Sequence, residues 1–87
     1  MGAAFNPVQS EGPIVFRFDA RGIAKRFRHA AILAALDTLR HGETMRLVSD
    51  HDPAPLLDQI GHRFGAAMHV RWVERAAEQV VVDVERA

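Results

Sequence analysis

Charged and imidazole side chains cluster in two short segments of this 87-residue chain, and their chemistry suits the binding of an anion or a metal ion. Guanidinium and ammonium groups bind carboxylates and phosphates, whereas imidazole binds transition metals and changes charge near neutral pH. We therefore predict a ligand-binding site from eight residues: Asp19, Arg21, Lys25, Arg26, His29, Asp50, His51 and Asp52.

His51 is the candidate metal ligand, because neutral imidazole is a common ligand of transition metals. His29, Asp50 and Asp52 could complete a set of ligands. In the structural alternative, one of the two aspartates caps a helix that begins near Pro53, and His51 hydrogen-bonds a neighbouring backbone carbonyl. The sequence leaves both alternatives open.

The basic residues present a similar choice. Asp19 and Arg21 either line a rim that accepts an anion or form an ion pair that shapes the turn after the first strand. Lys25, Arg26 and Arg28 lie near a predicted helix N-terminus, where free N–H groups favour anions. A short run of charge is also typical of a solvated helix face, so the cluster alone does not decide between the two.

Hydrophobic periodicity predicts the elements that position these residues. Apolar side chains alternate in four segments, as in half-buried strands, and recur at helical spacing in two. The predicted elements are a strand at Ile14–Asp19, a helix at Arg26–Arg40 stopped by Gly42, a strand at Thr44–Ser49, a helix that buries Leu56, Leu57, Ile60 and Phe64 and stops at Gly65, and a hairpin of two strands carrying Met68, Val70 and Trp72, then Val80, Val82 and Val84.

This β-α-β-α-β-β order predicts an α/β two-layer sandwich, with two helices on one face of a four-stranded mixed sheet. The first two strands should be parallel, and ligands gather where parallel strands end. Because these strands end at Asp19 and Ser49, both groups of candidate residues should share one edge. Trp72 should be buried beneath the helices.

Composition restricts the class of protein. The length and a 48% apolar content predict one domain over residues 13–87, with residues 1–12 as a flexible tail that lacks the features of a secretory signal. Eleven basic residues balance eleven acidic ones, which argues against a nucleic-acid partner. The absence of cysteine excludes disulfides and thiolate metal sites, and no apolar run is long enough to cross a membrane. We expect a cytoplasmic protein.

Three segments resemble the domain of unknown function 2249 (DUF2249) family: Phe18-Asp19-Ala20-Arg21-Gly22, Gly42-Glu43 before a strand, and Asp50-His51-Asp52-Pro53-Ala54-Pro55-Leu56-Leu57. The resemblance runs from about Phe16 to the C-terminus. That family is in turn similar to the TusA/SirA-like sulfur carriers, which have the same β-α-β-α-β-β fold. The Cys-Pro-x-Pro motif of the carriers would fall on Lys25-Arg26-Phe27-Arg28, where there is neither thiol nor proline, so this chain cannot carry a persulfide.

Two functions from different classes are consistent with these features. The first is a non-enzymatic binding module that presents the Arg21/His51 edge to a small anion, a metal or a partner protein. The second, which the resemblance implies, is a docking component of a bacterial sulfur-relay or redox pathway, with a hemerythrin-like or sulfur-transfer partner. No cofactor is identified, and the few serine and threonine residues offer no catalytic triad.

Self-association is a further expectation. The sheet face away from the helices should carry four valines among its charged residues, and a contiguous apolar patch on that face would favour a homodimer. These valines are Val15, Val48, Val73 and Val81.

Overall fold

The computed structural model describes residues 14–87 and contains the elements in the predicted order. Their bounds are β1 (Ile14–Asp19), α1 (Lys25–Leu36), β2 (Glu43–Ser49), α2 (Ala54–Phe64), a 3₁₀ turn (Gly65–Ala67), β3 (Met68–Arg75) and β4 (Val80–Arg86). The α/β two-layer arrangement is confirmed. The tail predicted at residues 1–12 lies outside the described residues, and among the helices of residues 14–87 none is long and apolar enough to span a membrane.

The strands form one mixed sheet in the order β1-β2-β4-β3. The predicted parallel pairing of β1 and β2 is confirmed, and β4 runs antiparallel to both of its neighbours. Val80, at the start of β4, pairs with Ser49 at the end of β2 and with Arg75 at the end of β3. The segments 20–24, 50–53 and 76–79 therefore meet at one edge, which we call the loop edge.

The core lies between the helices and one face of the sheet. It is built from residues four apart on each helix and two apart on each strand, the two periodicities that place side chains on one face. Its largest fully buried side chains are Ile32, Leu36, Leu47, Ile60, Val82 and Val84. Burying each such side chain contributes roughly 1.5–3 kcal/mol to folding.

Helix α1 ends earlier than predicted. It stops at Leu36, so the prediction of a helix over Arg26–Arg40 is wrong at its C-terminal end. Thr38 and Leu39 donate their N–H groups three residues back, which tightens the chain into a turn while Leu39 stays buried. Gly42, with φ of 82°, lies in the turn before β2 and does not end the helix.

Helix α2 matches its prediction more closely. Leu56 and Ile60 are buried, whereas Leu57 and Phe64 are only half-buried against the core. Gly65 follows the helix with a positive φ of 57°, a conformation that glycine adopts at little cost.

Two arginines converge on a buried carboxylate across three strands. Asp83 of β4 accepts two hydrogen bonds of 2.9 Å from Arg46 of β2 and one of 3.1 Å from Arg71 of β3. The pKa of Asp83 is lowered, mainly by the hydrogen bonds from Arg46. Asp83 therefore links β4 to both neighbouring strands through side-chain hydrogen bonds, in addition to their backbone pairing.

A chain of polar side chains crosses the face of the sheet that the helices leave uncovered. Arg21 donates to both oxygens of Asp19 at 2.9 and 2.7 Å and to Gln79 at 3.0 Å. Gln79 in turn donates to Glu74 at 3.1 Å. We call this chain of hydrogen bonds the polar strap.

The polar strap covers two valines that were expected to be exposed. Val48 and Val81 lie in register between Asp19 and Glu74, and they are only 2% and 6% exposed. The expectation of a patch containing all four valines is therefore wrong, because the two central ones lie beneath the polar strap. Val15 and Val73 remain exposed at opposite edges, and a homodimer through this face stays a prediction.

Candidate functional site

A cavity of about 200 Å³ opens at the loop edge, between the first turns of α1 and α2. We call it the edge cavity. Basic side chains line it together with apolar side chains of the core. The basic residues are Lys25, Arg28, His29 and His51, and the core residues are Ile32, Leu47 and Leu56.

Arg28 lines the edge cavity although it was not among the eight predicted site residues. It is 9% exposed and lies on the same face of α1 as Ile32. Its guanidinium donates to the carbonyl of Ile23 at 2.9 and 3.3 Å and lies 2.9 Å from Nδ1 of His51. Arg28 thus joins the first turn of α1 to the loop that follows β2.

His51 lies between a positive and a negative group. Its Nδ1 is 2.5 Å from Oδ1 of Asp50, and Arg28 Nη1 is 3.5 Å from the same oxygen. If Nδ1 carries a hydrogen it donates to Asp50, and if it carries none it accepts from Arg28. The His51 hydrogen bond and the nearby charges of His51 and Arg28 lower the pKa of the Asp50 carboxyl.

The loop that carries His51 is fixed by short-range hydrogen bonds. The His51 N–H donates to Oγ of Ser49 at 3.2 Å, and the Ala54 N–H donates to Oδ1 of Asp52 at 3.0 Å. Asp52 thus satisfies one backbone donor at the start of α2, but the N-cap residue is Pro53 and neither aspartate occupies that position, so the predicted aspartate N-cap is wrong.

Two further predicted residues face the edge cavity from α1. His29 is half-buried, and its Nδ1 lies 3.2 Å from Nε2 of Gln59 on α2, so the amide can donate to the imidazole. Lys25 is exposed in the first turn of α1. The N-cap residue of α1 is Ala24, whose side chain has no acceptor for the N–H groups of that turn.

Four predicted residues do not line the edge cavity. Asp50 lies beside it against His51, and the other three lie further away. Asp19 and Arg21 belong to the polar strap, so they form the ion pair that was one of the two alternatives. The hydrogen bonds and charge of Arg21 hold the pKa of Asp19 well below its usual range. Arg26 stacks over the exposed ring of Phe27, 4.6 Å from its centroid.

A second, more open cavity of about 440 Å³ lies on the other side of residues 51–53, beside the β3–β4 hairpin. We call it the hairpin cavity. Trp72 lines it and is half-buried, so the prediction of a buried Trp72 is wrong in degree. The ring packs against the core on one side but meets this cavity at the loop edge, where the Arg75 guanidinium lies 3.8 Å from the ring centroid.

The prediction of a metal site at His51 is not supported by a group of ligands among the described residues. In the part of the chain from residue 14 to residue 87, no three His, Cys, Asp or Glu side chains are grouped so that they could hold a metal ion. Instead, Asp50 and Asp52 hydrogen-bond the His51 ring and the start of α2.

Comparison with known proteins identifies the family of the chain. The model of a family described as "Uncharacterized conserved protein (DUF2249)" matches residues 17–86, which include all eight predicted site residues and Arg28. The searches of curated proteins and of solved structures give no match. Since the match covers most of the sequence, the chain belongs to the DUF2249 family of uncharacterized conserved proteins.

Proposed function

We propose that this chain is a non-enzymatic binding module whose edge cavity binds a small anion such as phosphate. The observation that supports the proposal is the convergence of Lys25, Arg28, His29 and His51 on one cavity. Asp52 is the carboxylate that also lines this cavity, and it already accepts a backbone hydrogen bond. Asp50, just outside the cavity, lies 3.5 Å from Arg28 and 2.5 Å from His51 and offsets part of their charge, so Lys25 is the main cation that an anion would meet.

Burial strengthens this attraction. The Arg28 guanidinium is largely removed from water, and a charge near an apolar wall interacts more strongly than one in bulk solvent. The volume of about 200 Å³ is below the range of about 300–1,000 Å³ typical of pockets for drug-sized ligands. An isolated phosphate, sulfate or short carboxylate suits a cavity of this size.

The test is a titration of the purified chain with inorganic phosphate, followed by ¹H–¹⁵N correlation spectra. We expect saturable shifts at residues that line the edge cavity. We expect Lys25→Gln to weaken binding about five- to tenfold, because it removes a charged contact.

Arg26→Gln is the matched control. It makes the same change in net charge one residue away, outside the edge cavity, and should alter the affinity by less than about twofold because an exposed charge is screened. Equal losses in the two variants would indicate general attraction to charge, and the absence of saturable shifts would contradict the proposal.

A second candidate function is docking to a protein of a sulfur-relay or redox pathway, on a fold shared with the TusA/SirA-like carriers. The order of the elements supports the shared fold, and Lys25–Arg28, where the carrier motif would fall, form the first turn of α1. Phe27 in that turn is 54% exposed and offers an apolar contact to a partner. Capture of a purified hemerythrin-like or sulfur-transfer protein that is lost in Phe27→Ser, but kept in His51→Ala, would favour this function.

A further inference from the structure

The two cavities of the loop edge are adjacent. His51, Asp52 and Pro53 line both of them, with the edge cavity towards α1 and the hairpin cavity towards β3 and β4. A molecule lying across these three residues would occupy both cavities. Together the two cavities offer a volume within the range of about 300–1,000 Å³ that is typical of small-molecule sites.

The hairpin cavity has a wall suited to a planar group. The Arg75 guanidinium, itself flat, lies 3.8 Å from the centroid of the Trp72 ring, which is a stacking distance. The remaining walls include the small or apolar side chains of Ala76, Ala77 and Val80. A planar ring that displaces the guanidinium could stack on the indole, with these small side chains on one side and His51 and Pro53 on the other.

Charge fixes the direction in which such a ligand would lie. Asp52 lines both cavities and so does not distinguish them, whereas Asp50 lines only the hairpin cavity, where Arg75 is the cation that faces the two carboxylates. Lys25, Arg28 and His29 line only the edge cavity. The acidic end of a ligand therefore belongs beside α1 and an uncharged ring belongs beside Trp72.

We propose that the ligand of this site is a small molecule in which an acid group is joined to a planar ring. This inference rests on the proposed function, because it takes anion binding in the edge cavity as given. The acid group occupies the edge cavity, and the ring stacks on Trp72 in the hairpin cavity.

The experiment compares the affinities of inorganic phosphate, methyl phosphate and phenyl phosphate for the wild-type chain. We expect phenyl phosphate to bind about tenfold more tightly than methyl phosphate, because stacking on an aromatic ring adds roughly that factor. In Trp72→Leu the phenyl and methyl compounds should bind equally, while the affinity for inorganic phosphate is kept.

A second measurement needs no variant. Trp72 is the single tryptophan of the chain, so its indole N–H gives one assignable resonance. Phenyl phosphate should shift that resonance, and methyl phosphate should not. Phosphate binding without any gain from the ring would overturn this inference and leave the proposed function intact, whereas failure of all three compounds to bind would overturn both.

Discussion

Arg28 lies on the buried face of α1 and connects the segments that form the edge cavity. It occupies the position four residues before Ile32 on the buried side of α1, where a charge is costly unless it is hydrogen-bonded. The carbonyl of Ile23 and the ring of His51 supply those partners. The same contacts hold the His51 loop against α1, so one side chain contributes both to folding and to the cavity wall.

We expect Arg28→Met to lower the free energy of unfolding by about 1–3 kcal/mol. Methionine keeps an unbranched apolar stem but leaves the Ile23 carbonyl without its guanidinium donor, and an unsatisfied buried polar group costs about that much. Urea denaturation followed by circular dichroism measures the change. Arg26→Met, with its parent side chain exposed in the same turn, should stay within about 0.5 kcal/mol of wild type. Similar losses in the two variants would mean that the Arg28 contacts contribute little.

The sequence predicted part of this site and placed Arg28 in a basic cluster near a helix N-terminus, without its contacts to Ile23 and His51. Lys25, His29 and His51 were predicted at one edge, and the structure places them around one cavity. For Arg28 the alternatives were an anion-binding cluster and a solvated helix face, and its burial was not predicted because one of its partners is 23 residues away. The available signal was its spacing, since an arginine four residues before Ile32 continues the apolar stripe of α1.

At the scale of the elements, local patterns predicted each helix and strand but not every boundary. The strand β1 was predicted at its observed bounds, because its alternation ends where the loop begins. The end of α1 was missed because Leu39 keeps the helical spacing of apolar residues while its backbone has already left the helix. The order β1-β2-β4-β3 depends on pairings between distant segments, which no local pattern contains.

Alanine substitutions at two glycines, one in α2 and one in the turn before β2, should change the free energy of unfolding in opposite directions. Gly61 lies within α2 with open space around its Cα, so Gly61→Ala should raise the free energy of unfolding by up to about 1 kcal/mol through helix propensity. Gly42 also faces open space but has φ of 82°. Gly42→Ala should therefore lower the free energy of unfolding by about 1–2 kcal/mol through backbone strain alone. Thermal and urea unfolding of both variants measure the changes. Two shifts of the same sign would contradict this assignment of the turn before β2.

For the whole molecule, paired carboxylates should make stability depend on acid pH. The pKa values of Asp19, Asp50 and Asp83 are all lowered from an ordinary value of 3.8 by arginine or histidine partners. A group with a lowered pKa in the folded state stabilises the fold above its unfolded pKa. That contribution is lost as the pH falls through the folded value.

We therefore expect the urea midpoint to be nearly constant above about pH 5 and to fall steadily below about pH 4. Asp19→Asn removes one of these groups, so the urea midpoint should fall less steeply as the pH decreases. Asp58→Asn, at an exposed carboxylate on α2, is the control and should leave the slope unchanged. A midpoint that does not vary between pH 5 and pH 2 would show that the ion pairs are not maintained in solution.

The position of β4 has a consequence for how the chain is made. It is the last strand along the sequence, yet it lies in the middle of the sheet and pairs with both β2 and β3. During translation, β1, α1, β2, α2 and β3 all leave the ribosome before the strand that joins them. Until Val80–Arg86 emerges, β2 has one open edge and β3 has no partner, and open edges invite pairing with other chains. Assembly of this sheet is therefore completed by insertion of its final strand, and it does not grow outward from the N-terminus.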